Sequence, residues 1–147
     1  MGWMILFFLL AGVETAAAQE NRAATVLEQR YDRESNPRKQ SGIALDLTKN
    51  RLEQLRSAYD TGDSEQQKAA VEACLGALDR LGTAVTAAGN VRTSKNVEVF
   101  LRRYGRDLEN LKTNVSYFER PEIEKIIKKT AELREQVLYS IMNPDED

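Results

Sequence analysis

Apolar side chains recur three and four residues apart in four long blocks of this 147-residue chain, and Gly or Pro separates the blocks. That spacing puts one face of a helix on a core and leaves no place for a half-buried strand, which needs strict alternation. The clearest block is 94–118, where Val97, Phe100, Leu101, Tyr104, Leu108, Leu111, Val115 and Phe118 share a stripe. Block 43–60 carries Ala44, Leu47, Leu52, Leu55 and Tyr59, and block 64–88 carries Val71, Cys74, Leu75, Leu78, Leu81 and Val85. The last block runs from Pro121 to about 142 through Ile123, Ile126, Ile127, Leu133, Val137 and Ile141. Short connections between long helices favour antiparallel neighbours. The sequence therefore predicts an all-α fold, an antiparallel up-down four-helix bundle over 43–143.

A short amphipathic arm precedes it. Residues 22–35 place Ala23, Ala24, Leu27 and Tyr31 on one face, and Asn36-Pro37 ends the segment because proline disfavours helix at the residue before it. Residues 36–42 read as a solvated connector, so 19–42 forms arm and connector. Gly62 suits a left-handed helix end, and Ser64 with Gln67 matches a capping box for the next helix. Gly89-Asn90 closes that helix. Pro121 is preset for a first helical turn, with Glu122 and Glu124 complementing the positive end of the dipole. Asn143-Pro144 stops the last helix, and 144–147 is a short acidic tail.

Residues 1–13 are an uninterrupted apolar run, and Ala16 and Ala18 make the small-x-small pattern that signal peptidase accepts. The expectation is a signal peptide over 1–18, cleavage before Gln19, and a secreted or periplasmic chain. The run is shorter than the roughly 20 residues a spanning helix needs, so membrane contact is expected only through an uncleaved leader. No Lys or Arg precedes the apolar core. Leu10-Ala11-Gly12-Val13 lacks the lipid-accepting cysteine of a lipobox, and Leu6 stands where a myristoylation signal needs Ser or Thr.

The residue inventory removes most familiar chemistry. The chain has no histidine and one cysteine, so it lacks the usual general base near neutral pH and the commonest metal ligand. Carboxylate–histidine di-metal bundles, bis-histidine haem and Cys/His zinc sites are excluded. Asp60, Asp63 and Glu65 flank Gly62 without EF-hand spacing and read as a turn and cap. No cofactor, metal or catalytic residue is expected, and the chain reads as non-enzymatic. Cys74 lies on an apolar stripe, where cysteine acts as a small hydrophobe. With 21 basic and 23 acidic residues there is no basic excess to hold nucleic acid.

Two surfaces stand out as candidates. The 64–88 helix is small-sided opposite its leucines, at Ala69, Ala73, Gly76, Ala77 and Ala84, broken by Arg80. A free surface helix ordinarily carries charge there. Gly76 and Gly82 each cost ~1 kcal/mol relative to Ala in mid-helix, which favours close approach by the arm, a second subunit or a partner helix. The weaker candidate is Arg102, Arg103 and Arg106, near Arg92, Lys95, Lys125, Lys128 and Lys129, as a contact for anionic envelope polymer. Glu98–Arg102, Arg103–Asp107 and Glu124–Lys128 at four-residue spacing argue instead for a solvated face. The leading expectation is an exported interaction or self-association protein. The alternatives are a carrier of an apolar ligand or lipid between Leu78, Leu81, Phe100, Tyr104 and Leu133, and a polymer binder.

Overall fold

The computed structural model describes residues 16–144, with side chains from 18; the apolar run and the last three residues lie outside it, and with them most of the expected leader and tail. The described residues form five helices and no strand: α1 (Ala16–Arg33), α2 (Pro37–Thr61), α3 (Ser64–Ala88), α4 (Val91–Asn114) and α5 (Arg120–Met142).

Their ends follow local chemistry. Asn36 is extended and its Oδ1 accepts from the backbone N–H of Arg38 at 3.0 Å and Lys39 at 3.4 Å, with Pro37 in the first helical position. The expected connector at 36–42 is thus the opening of α2: proline lacks only an N–H that a first turn leaves unpaired. Gly62 and Gly89 adopt φ of +73° and +50°, the left-handed geometry that ends α2 and α3. The cap of α3 is Asp63 rather than Ser64; its carboxylate accepts from Glu65 N at 2.9 Å and Gln66 N at 3.1 Å. An ionised acceptor also faces the positive end of the helix dipole there. Replacing Asn36 with Ala is expected to lower stability by about 1 kcal/mol in urea unfolding; an unchanged midpoint would mean the cap contributes nothing.

Two antiparallel hairpins, α2–α3 and α4–α5, make the most extensive contacts, α1 lies along α2, and α3 packs beside α5. A ring of helices in chain order would seat α2 against α5, yet those two are not packed neighbours. The hairpins instead stack in the same sense. Lys49 lies over the Phe100 ring and Arg56 meets Asp107, so α2 and α4 run parallel. Lys129 meets Asp79 at 2.6 Å, and Leu133 lies opposite Gly82, so α3 and α5 run parallel too. Gly82 shows why this pairing forms: a Cβ there would stand 3.1 Å from Leu133 Cδ1, so glycine lets α5 close on α3. The short Gly89-Asn90 turn joins only the ends of α3 and α4, which then diverge.

The expected stripes largely supply the core. Leu47, Leu55, Val71, Cys74, Leu78, Leu81, Val97, Leu101, Leu108, Ile123 and Ile126 are fully or almost fully buried. Buried Thr48 and Thr130 donate to the carbonyls of Ala44 and Ile126, four residues back, and so leave no unpaired hydroxyl. The stripe of α4 ends early. The helix stops at Asn114, and Phe118, expected in the core, is 90% exposed.

Candidate functional site

The small-sided face of α3 is divided among three environments. Ala77 (1% exposed) packs with Ala24 of α1 and Leu47 of α2, and Ala84 is wholly buried. Around them α1 is tied down from both sides. The Tyr31 hydroxyl donates to the Arg80 carbonyl at 3.0 Å, and the Arg80 guanidinium lies 6.0 Å from the Tyr31 ring centroid. Glu28 receives Arg51 Nη2 of α2 at 2.7 Å and stands 3.7 Å from Arg80 Nη1 of α3. The chain therefore covers this half of the face with its own first helix, and Ala77 and Ala84 are not available to another molecule. Ala24, Leu27 and Tyr31, spaced to match, were the signal in the sequence.

The other half stays open. Ala69 is exposed and Ala73 half-buried, and both line a depression of about 250 Å³ with Glu20, Arg51, Gln54 and Gln66. Gly76 adjoins only the end of Arg80, at 3.9 Å from an added Cβ, so close approach does not account for it. Gly82, by contrast, meets the expectation of close approach, but on the side of α5.

Beyond Gly82 a groove follows the α3–α5 seam. Two openings of about 550 and 450 Å³ share Thr86, Leu133 and Gln136, and run from Asp79 and Lys129 to the carboxyl ends of both helices. Val85, Leu133 and Val137 give it an apolar floor, and exposed Val91 and Tyr139 lie at its wide end. Of the side chains expected to line a ligand cavity, Leu78 and Leu133 border this groove, whereas Leu81 and Tyr104 are packed in the core and Phe100 lies half-buried against it. Sequence periodicity did not show the groove, because it depends on which two helices are neighbours.

At the opposite end, the turn between α4 and α5 presents Tyr117 and Phe118, 76% and 90% exposed, as an edge-to-face pair with centroids 5.9 Å apart. The turn is held firmly. Glu119 Oε2 accepts from Ser116 N at 3.0 Å and Ser116 Oγ at 2.7 Å, while its Oε1 accepts from Gln67 Nε2 of α3 at 3.0 Å. These bonds from Ser116 hold the Glu119 carboxyl below its ordinary pKa. The Ser-x-x-Glu pattern at 116–119 is the sequence mark of this turn, and it explains why the α4 stripe does not continue through Phe118.

The basic cluster does not converge. Arg102, Arg103 and Arg106 are exposed on α4, with Arg102 3.6 Å from Glu98 as the four-residue spacing suggested. Asp107 is instead 3.8 Å from Arg56 of α2, and Glu124 is 4.0 Å from Lys112. Lys129 reaches toward α3, away from these arginines. Cys74 is buried, and its Sγ donates to the Arg51 carbonyl at 3.4 Å. Burial pushes its thiol up to about 12, although the Arg51 cation opposes the shift.

No protein-family model, curated protein or solved structure matches this chain.

Proposed function

We propose that this chain is an exported, non-enzymatic helical protein that associates with another protein chain, a second copy of itself in the simplest case. On this reading α2–α5 make a four-helix bundle in the order α2, α3, α5, α4, with α1 as an outer arm that completes the core. The observation that carries the reading is the groove along the α3–α5 seam, with its apolar floor and the exposed Val91 and Tyr139 at its wide end. Such a groove suits a helix laid in lengthwise, its apolar side chains at three- and four-residue spacing. It takes over the role that the sequence assigned to the small-sided face of α3, whose buried part is occupied by α1.

Light scattering across a concentration series tests this. The chain is expected to form a dimer or larger species, and Thr86→Arg, at an exposed position on both parts of the groove, is expected to return it to monomer with helicity unchanged. A wild-type assembly that Thr86→Arg leaves intact would exclude the groove as the contact. A strict monomer at every concentration would exclude self-association.

A further inference from the structure

We propose that the outward face of α4 binds an extended polymer of phosphate groups. This goes beyond the protein-binding reading and uses none of the residues that border the groove. α4 carries six basic and three acidic residues in a chain whose net charge is −2, so cations are concentrated on this helix. Between 92 and 106 its exposed positions are Arg92, Lys95, Asn96, Val99, Arg102, Arg103 and Arg106, with no carboxylate among them. Their three- and four-residue steps put them on one face, and the five cations extend over roughly 21 Å at 1.5 Å per residue.

The pairing around this face leaves it positive. The three acids of α4 are taken up at its edges. Glu98, with a side chain 13% exposed, meets Arg134 at 2.9 Å and Arg102 at 3.6 Å. Asp107 meets Arg56 at 3.8 Å, and Glu109 meets Lys112 at 2.8 Å. Among the described residues, Arg92, Lys95, Arg103 and Arg106 form no ion pair. The neighbouring helices bring no excess of acid. On α2, Asp46 pairs with Lys49 and Glu53 with Arg56. Along the same length α5 carries Lys128, Lys129 and Arg134 against Glu132 and Glu135, and Lys129 is paired with Asp79 of α3. The acidic residues 145–147 follow Pro144, which lines the same opening as Val91. Arg102, Arg103 and Arg106 stand roughly 16 Å or more farther along α4 and are the centre of the face.

The side chains present say which anion fits. Four of the five cations are arginines, whose planar forks take two oxygens of one phosphate at once. They stand on a convex helix ridge rather than in a cleft, so a single small phosphate is not enclosed. The stripe has no aromatic ring, which leaves single-stranded nucleic acid without its stacking platform. Its one apolar side chain, Val99, is 39% exposed, and the large apolar side chains of α4 face the core, so a bilayer has nothing to take up. A flexible chain charged at every repeat can follow the ridge, and each cation that meets a phosphate releases a condensed counterion.

The test is binding of the full chain to fluorescein-labelled polyphosphate, followed by anisotropy over a salt series. The logarithm of the binding constant is expected to fall with the logarithm of salt at a slope of about −3.5, from about −0.7 for each of the five cations on a flexible strand. Arg102→Gln with Arg103→Gln and Arg106→Gln is expected to keep the helicity, to reduce the slope to about −1.4 and to weaken low-salt binding roughly tenfold or more. Arg33→Gln with Lys39→Gln and Lys125→Gln removes the same charge from exposed positions off this face and is expected to leave the slope unchanged. Equal losses in the two triple variants overturn the inference, because net charge alone would then set the binding. Absence of binding at the lowest salt overturns it as well. Phosphatidylglycerol vesicles or an oligothymidylate that lose more affinity than polyphosphate in the α4 variant also overturn it, assigning the face to a bilayer or to nucleic acid.

Discussion

Replacing Ala77 with Glu is expected to destabilise the fold by about 3–5 kcal/mol, the scale of an uncompensated buried charge. Ala77 is 1% exposed and shares a small buried cluster with Ala24 and Leu47, so a carboxylate there has neither water nor room. Arg80, one helical turn on, is already engaged with Glu28 and Tyr31 and offers no free cation to receive it. The structure can relieve the strain by letting α1 come away from α2 and α3. Proteolysis should then cut near Ser35 and Asn36, between α1 and α2, faster than in the parent chain. Ala69→Glu, on the same helix but at an exposed position, is expected to stay within about 0.5 kcal/mol. Urea midpoints for the two variants separate a covered face from a free one. Equal midpoints would mean that α1 does not dock and that the whole alanine face is open.

The contrast between Ala69 and Ala77 also shows where reading the sequence stops. Periodicity identified the helices and the side chains that fill the core, because burial in a helical protein follows the three-to-four spacing. Gly62 and Gly89 ended helices as expected, since both need positive φ. Periodicity on one helix does not say which other helix covers a given face. The small-sided face of α3 was legible as a surface that something approaches closely; that α1 covers half of it depends on Tyr31 and Glu28 of α1 meeting Arg51 of α2 and Arg80 of α3. The close approach of α5 to α3 likewise depends on one glycine opposite one leucine, a contact with no local signature. Tyr117 and Phe118 were obscured for another reason. Phe118 continues the α4 spacing perfectly well, but Ser116 and Glu119 bond each other and take the backbone out of the helix first. A local polar pattern outweighed an apolar one.

Stability is expected to fall steeply above pH 9, and Cys74 is the reason that can be isolated. In the unfolded chain the thiol releases its proton near its ordinary value of 9, whereas burial in the fold pushes it up to about 12. Between those values the unfolded state binds fewer protons than the folded state, so stability present below pH 9 is lost as pH rises. Across the whole interval the loss is on the order of 4 kcal/mol. Arg51 pulls the other way, which limits the effect without reversing it. Tyr104, buried beside Cys74 without hydrogen-bond geometry to it, is also held well above its ordinary value by burial, and Tyr59 is pushed up to about 12. These two tyrosines add to the loss only above pH 10, where an unfolded phenol ionises. Urea midpoints from pH 7.5 to 10 in native chain and Cys74→Ala isolate the thiol. The variant is expected to start about 1 kcal/mol lower from lost packing and then to fall less with pH. Parallel curves would place the thiol in contact with water. Curves that converge as pH rises mean that Cys74 stays a protonated hydrophobe at neutral pH.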